Sequence, residues 1–443
     1  MSDIIKNPRN GCALHGALQT VQEIQGIVPV VHANAGCGVI NYLAGKTQGN
    51  GFGRYSGFAT PGTAAQERHV IFGGASRLRE QIKNTIKVVN GDLYVILNSC
   101  ESAMVGDDVD AMTREIVEQG EPVVDTLVAG FNGGSHYGYE RVLADILKSI
   151  DGVKKDERNP QSNLINIFGI IPEKDLFWQG NLEEIKRILE GAGLKTNLFF
   201  GVNGSVSDLV NAKNAAASLV FGRWGELPAK VLKEKYDIPY LIESSLPVNS
   251  DDEEKLIERL SGIVSTDKEK AEEFIRHEKE YEDYYLSRIR DDIFEYDFGQ
   301  RTVIVGDEEQ VIRLGKIFNE YLGKQVVAAV VTDALKKDEE HDTDNTELLN
   351  QTAEKIYITS DEKEIEDVIK RTKAEAVIGS SLERRVTDKH DISLLELSFP
   401  VYQKSILNRK SAGINGLIEI LEDYIDVIKK DQLLKKEKLR ASI

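Results

Sequence analysis

The sequence predicts an α/β fold: three Rossmann-like domains with parallel sheets flanked by helices, linked by a long helix. Three observations predict it. At about 150 residues per domain, 443 residues make roughly three domains, each large enough to bury its own core. From about residue 160, strand-like and helix-like patterns alternate, as parallel α/β units require. Between two such blocks lies a charge-rich stretch with an apolar stripe, residues 251–298, which reads as an amphipathic linking helix with its charges in solvent.

Taken in order, segment 1–155 carries strand-like runs at 27–31 (IVPVV) and 93–99 (LYVILNS), and it holds most of the chemically special residues. Segment 156–250 opens on LINIFGII (164–171), an apolar run suited to a buried strand. The following NLEEIKRILEGAGL (181–194) places Leu182, Ile185, Ile188 and Leu189 at helical spacing, and Gly191 and Gly193 supply a stop. TNLFF, VSDLVNAKNAA, ASLVFG, ELPAKVLKEKY and PYLIE then alternate to residue 243. Segment 299–443 begins at RTVIVGD (301–307) and repeats the alternation to a terminal helix after Gly416. It is interrupted by a polar run at 333–350 that has too few apolar residues to anchor a core element.

Composition narrows the function. The 55 basic and 73 acidic side chains leave a net charge of −18, which argues against nucleic acid as a partner, since such binders carry a basic face. No stretch reaches the ~18 consecutive apolar residues of a spanning helix, and no secretory signal opens the chain, so no membrane partner is expected and the expected location is cytoplasmic. Neither α/β block carries a G-x-G-x-x-G or a G-x-x-x-x-G-K-[ST] phosphate loop. A doubly wound fold by itself implies no nucleotide.

Three cysteines remain, Cys12, Cys37 and Cys100, all in the first quarter of the chain. Each sits in a Gly-rich or polar context, at a strand-to-loop junction or ahead of a helix, where a thiolate is favoured and where α/β folds place ligands. They read either as buried small hydrophobes or as metal ligands. As ligands of a zinc or [4Fe–4S] site they leave one position open for another group, so an interface site follows.

In these contexts the sequence resembles the nitrogenase component 1 superfamily, and in its cysteine spacing the β-type subunit. The resemblance rests on Cys12 with LHGALQ, HANAGCG around Cys37, ERHVIFGG at 67–74, NSCESAMVGDD at 98–108, AGFNGGSHYGYE at 129–140, and FPVYQKSILNRKSAGINGLIEIL at 399–421. The loop at 129–140 is similar to the α-type as well. The resemblance implies an iron–sulfur subunit of a reductase. Electrons from an ATP-dependent iron protein would pass through an intersubunit cluster, of [8Fe–7S] P-cluster type or [4Fe–4S], to a substrate or metal cofactor. The implied ligands are Cys12, Cys37 and Cys100. Ser135 falls near a serine that joins the cluster in the β-type subunit, the alternative being a plain loop hydroxyl. Phe72 matches an aromatic residue where the iron protein docks, the alternative being helix packing. The implied partner is a homologous component 1 subunit, α-type or identical, in a dimer or tetramer. An assembly scaffold for a metal cofactor and a tetrapyrrole-reductase-like subunit are the other implied roles.

The chain has no cysteine after Cys100, and His341 and His390 lie in contexts unlike those that hold the large catalytic cofactor in the α-type subunit. Catalytic residues are therefore not assigned. His32 and His136 read as the better candidates for orienting ligands, ahead of His15 and His69. Asp107 and Asp108 read together as a helix N-terminal turn.

Overall fold

A computed structural model describes residues 9–39, 60–153, 157–295, 301–333, 341 and 343–441. Residues 334–340 and 342 of the polar run, and 296–298 at the end of the linking segment, lie outside the described residues.

Twelve strands among the described residues form three sheets, and every pairing given for them is parallel. The first sheet is β1 (Ile27–His32), β2 (Leu93–Asn98) and β3 (Val123–Leu127), in that spatial order. β1 and β2 are apolar almost throughout, as strands covered on both faces must be. The second is β4 (Leu164–Phe168), β5 (Lys195–Asn197), β6 (Ala217–Phe221) and β7 (Tyr240–Glu243), in the order β5-β4-β6-β7. The third is β8 (Arg301–Gly306), β9 (Gln325–Val331), β10 (Ile356–Ile358), β11 (Ala376–Gly379) and β12 (Ser393–Glu396), in the order β10-β9-β8-β11-β12. That last order winds outward both ways from β8, the doubly wound arrangement that the alternating pattern predicts. No helix among the described residues is long and apolar enough to cross a membrane.

The chain divides into two compact units. One is Asn10–Lys174 with Lys195–Ile242, and it contains the first two sheets. Within it the helix Ser135–Val153 buries Tyr139, Val142, Leu143, Ile146, Leu147 and Ile150, a 3-4 spacing that makes a continuous apolar face. The Tyr139 hydroxyl, fully buried, accepts a hydrogen bond from Gly169 N at 3.0 Å just after β4.

The other unit is Met1–Arg9, Asp175–Leu194 and Glu243–Ile443. Here the linking stretch is two helices rather than one, Ser250–Ser261 and Lys268–Glu295. Gly262 ends the first, and the Asp267 carboxylate accepts from Lys270 N at 3.1 Å ahead of the second, so local capping breaks the amphipathic pattern without changing its period. Between these helices and Trp178–Gly191 sits a buried charge cluster. Arg187 donates to both oxygens of Glu278 at 2.9 and 2.7 Å and to Glu184 at 2.8 Å, while Glu253 accepts from Ile414 N at 3.1 Å.

Three carboxylates about one guanidinium cannot all stay ionised in a buried site. Burial, reinforced by the charge of Glu278, pushes Glu253 up to about 9. A carboxyl raised in the folded state binds a proton that the unfolded chain has lost, so its contribution is complete at acid pH and fades as pH rises toward 9. We expect wild-type stability to fall by up to about 1.4 kcal/mol per pH unit from this group across that window. Glu253→Gln flattens the fall, and urea midpoints of the two proteins at pH 6 and pH 8 check it; parallel pH profiles would contradict it.

Candidate metal centre

Strands β1, β2 and β3 run in register to a common carboxyl edge, where His32 pairs with Asn98 and Asn98 with Leu127. The loops leaving that edge carry the cysteines. Cys37 lies in the helical residues 35–39 after β1, and Cys100 opens the helix Cys100–Val105 after β2. Cys12 comes from upstream, as the N-cap of the helix Ala13–Gln22. It is joined to the loop after β3 by a bridge to Gly134 and by the bond from Ala13 N to Gly133 O at 3.1 Å. Thus three thiols far apart in sequence line one cleft of about 580 Å³, together with Asn34, Ser99 and Glu101. Each cysteine is free and half-buried.

The electrostatics differ from thiol to thiol. Burial would raise Cys12, but the His15 ring Nδ1, 3.1 Å from its sulfur, and the backbone N–H groups of His15 and Leu14 outweigh it and bring the thiol down to about 7. His15 is raised in return: burial opposes its charge, and Cys12 more than compensates. Its Nε2 lies 3.3 Å from Cys37 O, so one ring spans two of the cysteine loops. Cys37 is pushed up, first by burial and then by the charges of Cys12 and Cys100. Two like charges close by can be relieved only by protons or a cation. Cys100 Sγ accepts from Gly130 N at 2.9 Å. A Cβ at Gly130 would stand 3.0 Å from Cys12 Cβ and 3.3 Å from Cys100 Sγ, so a side chain there would crowd both cysteines and make them give by a few tenths of an ångström.

The other expected residues are placed as follows. Ser135 opens the helix Ser135–Val153, fully buried, with its Oγ unpartnered among the described residues; it follows the Gly134 that bridges to Cys12 but is not on the cleft wall. Phe72 ends the helix Glu67–Phe72 at 85% exposure, beside Ile71 at 64%, so it is not a core-packing residue. His390 is exposed. His32, which sequence reasoning favoured, is spent on structure: its Nε2 lies 3.0 Å from Asp107 and its Nδ1 3.1 Å from Thr63. Burial holds it below its ordinary value despite Asp107. The His136 ring lies tilted at 33° against the Trp224 ring with centroids 5.3 Å apart, and His69 Nδ1 accepts from Gln66 N at 2.9 Å. His15 instead touches the thiol, and the Cys-x-x-His spacing at a helix start was its signal. Asp108 caps Val109–Glu118 by accepting from Ala111 N, as the sequence suggests. Asp107 departs from that reading, since it binds His32 and Gly74 N.

Fold and site define an α/β protein of several parallel sheets with a thiol-lined cleft at the carboxyl edge of the first. The chain belongs to the nitrogenase component 1 type oxidoreductases, whose family model matches residues 12–429. It is 24% identical over 465 residues to the nitrogenase molybdenum-iron protein beta chain of Methanothermobacter thermautotrophicus, covering 97% of this chain and 95% of that one. It is 25% identical over 443 residues to a light-independent protochlorophyllide reductase subunit of Chaetosphaeridium globosum, covering 93% of this chain and 81% of that one. Among solved structures, nitrogenase Cp1 at pH 6.5 superposes with a TM-score of 0.76 at 18% identity, over 97% of this chain and 94% of that one.

Proposed function

We propose that this chain is the iron–sulfur subunit of a nitrogenase-like component 1 reductase of the cytoplasm, segment 1–155 being its iron–sulfur domain. Cys12, Cys37 and Cys100 hold one side of a cluster, and a homologous subunit, α-type or a second copy, holds the other in a dimer or tetramer. The observation that carries this reading is the convergence of three thiols from separate loops on one cleft. The residues fit such a group. Their donors are soft sulfurs suited to iron–sulfur clusters, a backbone N–H already points at one of them, and about 580 Å³ far exceeds the ~30 Å³ share of one water. A bound [8Fe–7S] or [4Fe–4S] cluster supplies one-electron storage at a potential set by hydrogen bonds and burial.

The chain's own residues do the rest. His15 favours the thiolate of Cys12 and ties it to the Cys37 loop, and the Gly130 N–H donates to the Cys100 sulfur. Phe72 and Ile71 present apolar surface to an ATP-dependent iron protein. The similarity to the protochlorophyllide reductase chain favours, as second reading, a tetrapyrrole-reductase-like subunit with the same cluster-holding role.

Purification without oxygen, followed by iron, acid-labile sulfide and subunit analysis, tests the proposal. A coloured complex of two chains with both elements is expected; a colourless, iron-free protein would sink it. Phe72→Asp removes an exposed aromatic anchor of a kind that carries about 2–4 kcal/mol at interfaces. We expect turnover at limiting iron protein to fall about 30-fold or more on that magnitude, with iron content unchanged. Unaltered turnover would remove Phe72 from the docking surface.

A further inference from the structure

Glu101 follows Cys100 in the first turn of Cys100–Val105, and its side chain lines the cleft with the three thiols. Its Oε2 is buried and has no hydrogen-bond partner among the described residues. An acidic residue in a first turn is ordinarily explained by the helix dipole. That accounts for the residue type but leaves the orphaned oxygen unexplained, and a buried charged oxygen without a donor is costly. Cys12, Cys37, Cys100, Glu67 and Glu101 line one space, with no cation among the cleft-lining residues. A cation bound there would supply the missing positive charge.

We propose that Glu101 is an oxygen ligand to an iron of the cluster, the fourth donor contributed by this chain beside Cys12, Cys37 and Cys100. This rests on the cluster reading above. The bond formed is a coordinate bond from a carboxylate oxygen lone pair to iron, with no group released. A carboxylate is a harder donor than a thiolate and favours the more oxidised iron. Glu101 therefore holds the oxidised state and lowers the midpoint potential.

The test uses the complex purified without oxygen, as wild type, Glu101→Ala and Glu101→Cys, with iron content, Mössbauer spectra and dye-mediated redox titration as readouts. Wild type is expected to show one iron subsite with the larger isomer shift of oxygen ligation. Glu101→Ala loses that subsite and titrates at a more positive potential, or loses iron. Glu101→Cys keeps iron and gives the subsite a sulfur-type shift. Wild-type spectra with sulfur-type subsites only would overturn the proposal, as would identical spectra and midpoints in all three proteins, or iron lost in Glu101→Ala and not recovered in Glu101→Cys. An iron-free wild type would instead overturn the cluster reading itself.

Discussion

Cys37→Ala yields a folded protein with only traces of iron and no iron–sulfur absorption. The expectation follows from how little else holds that side of the cleft. Cys37 stands on the helical residues 35–39, and its carbonyl is tied to the rest of the site by His15 Nε2 at 3.3 Å. Cys12 and Cys100 come from other loops, so a group held by them alone keeps one flank open to water and exchange. Removing even an outer partner of a metal ligand typically costs about 10–100-fold in affinity, and removing a ligand costs more. The fold is insulated from the change, because Cys37 is half-buried and outside the apolar core. Far-UV circular dichroism should match wild type while iron and sulfide analysis diverges. Wild-type iron in Cys37→Ala would show that this thiol is not a ligand.

Gly138→Ala is expected to destabilise the protein by about 3 kcal/mol or more, beyond the common range for overpacking, and to lower its iron content as well. A Cβ at Gly138 would lie 2.0 Å from Ala13 O and 2.7 Å from Ala17 N, and one at Gly16 would lie 1.9 Å from Ser135 O. The helices Ala13–Gln22 and Ser135–Val153 therefore touch backbone to backbone, and Cys12 caps the first of them. Neither main chain can give way as a flexible side chain could, so the methyl group must push Ala13 and the adjoining Cys12 off their positions. Gly152 supplies the control. It lies in the same helix with nothing within 4 Å of an added Cβ, so Gly152→Ala should gain up to about 1 kcal/mol from helix propensity. Urea unfolding of both variants beside wild type, with iron analysis, decides it; equal midpoints for the two would refute the close-crossing argument.

Much of this architecture was legible residue by residue. The apolar runs at 164–171 and 301–307 become β4 and β8, because a strand covered on both faces is largely apolar and nothing distant is needed to see that. Asp108 reads as a cap and is one, since capping involves only the next three residues. The Gly-rich and polar settings of the cysteines placed them at loop junctions, and the resemblance they carry is to the family the chain belongs to. Other features were not legible. Cys-x-x-His at 12–15 did not outrank His32, because the ring's reach to Cys37 O depends on where the loop after β1 passes. Nothing in the sequence distinguishes Gly130 from the other glycines of its loop, and its role exists only once Cys12 and Cys100 both stand against it. Nothing in the sequence singles out Glu101, and only the packed cleft leaves its Oε2 without a donor among the described residues.

By itself, then, the sequence determined the alternation of strands and helices, the caps, and the thiol count, since propensity, periodicity and side-chain chemistry act within a few residues. The tertiary structure decided how three thiols from three loops come to share one cleft. That outcome depends on the common register of β1, β2 and β3 and on the glycine-lined crossing of two helices. Both are matters of van der Waals contact between segments far apart in the chain, which no local pattern encodes.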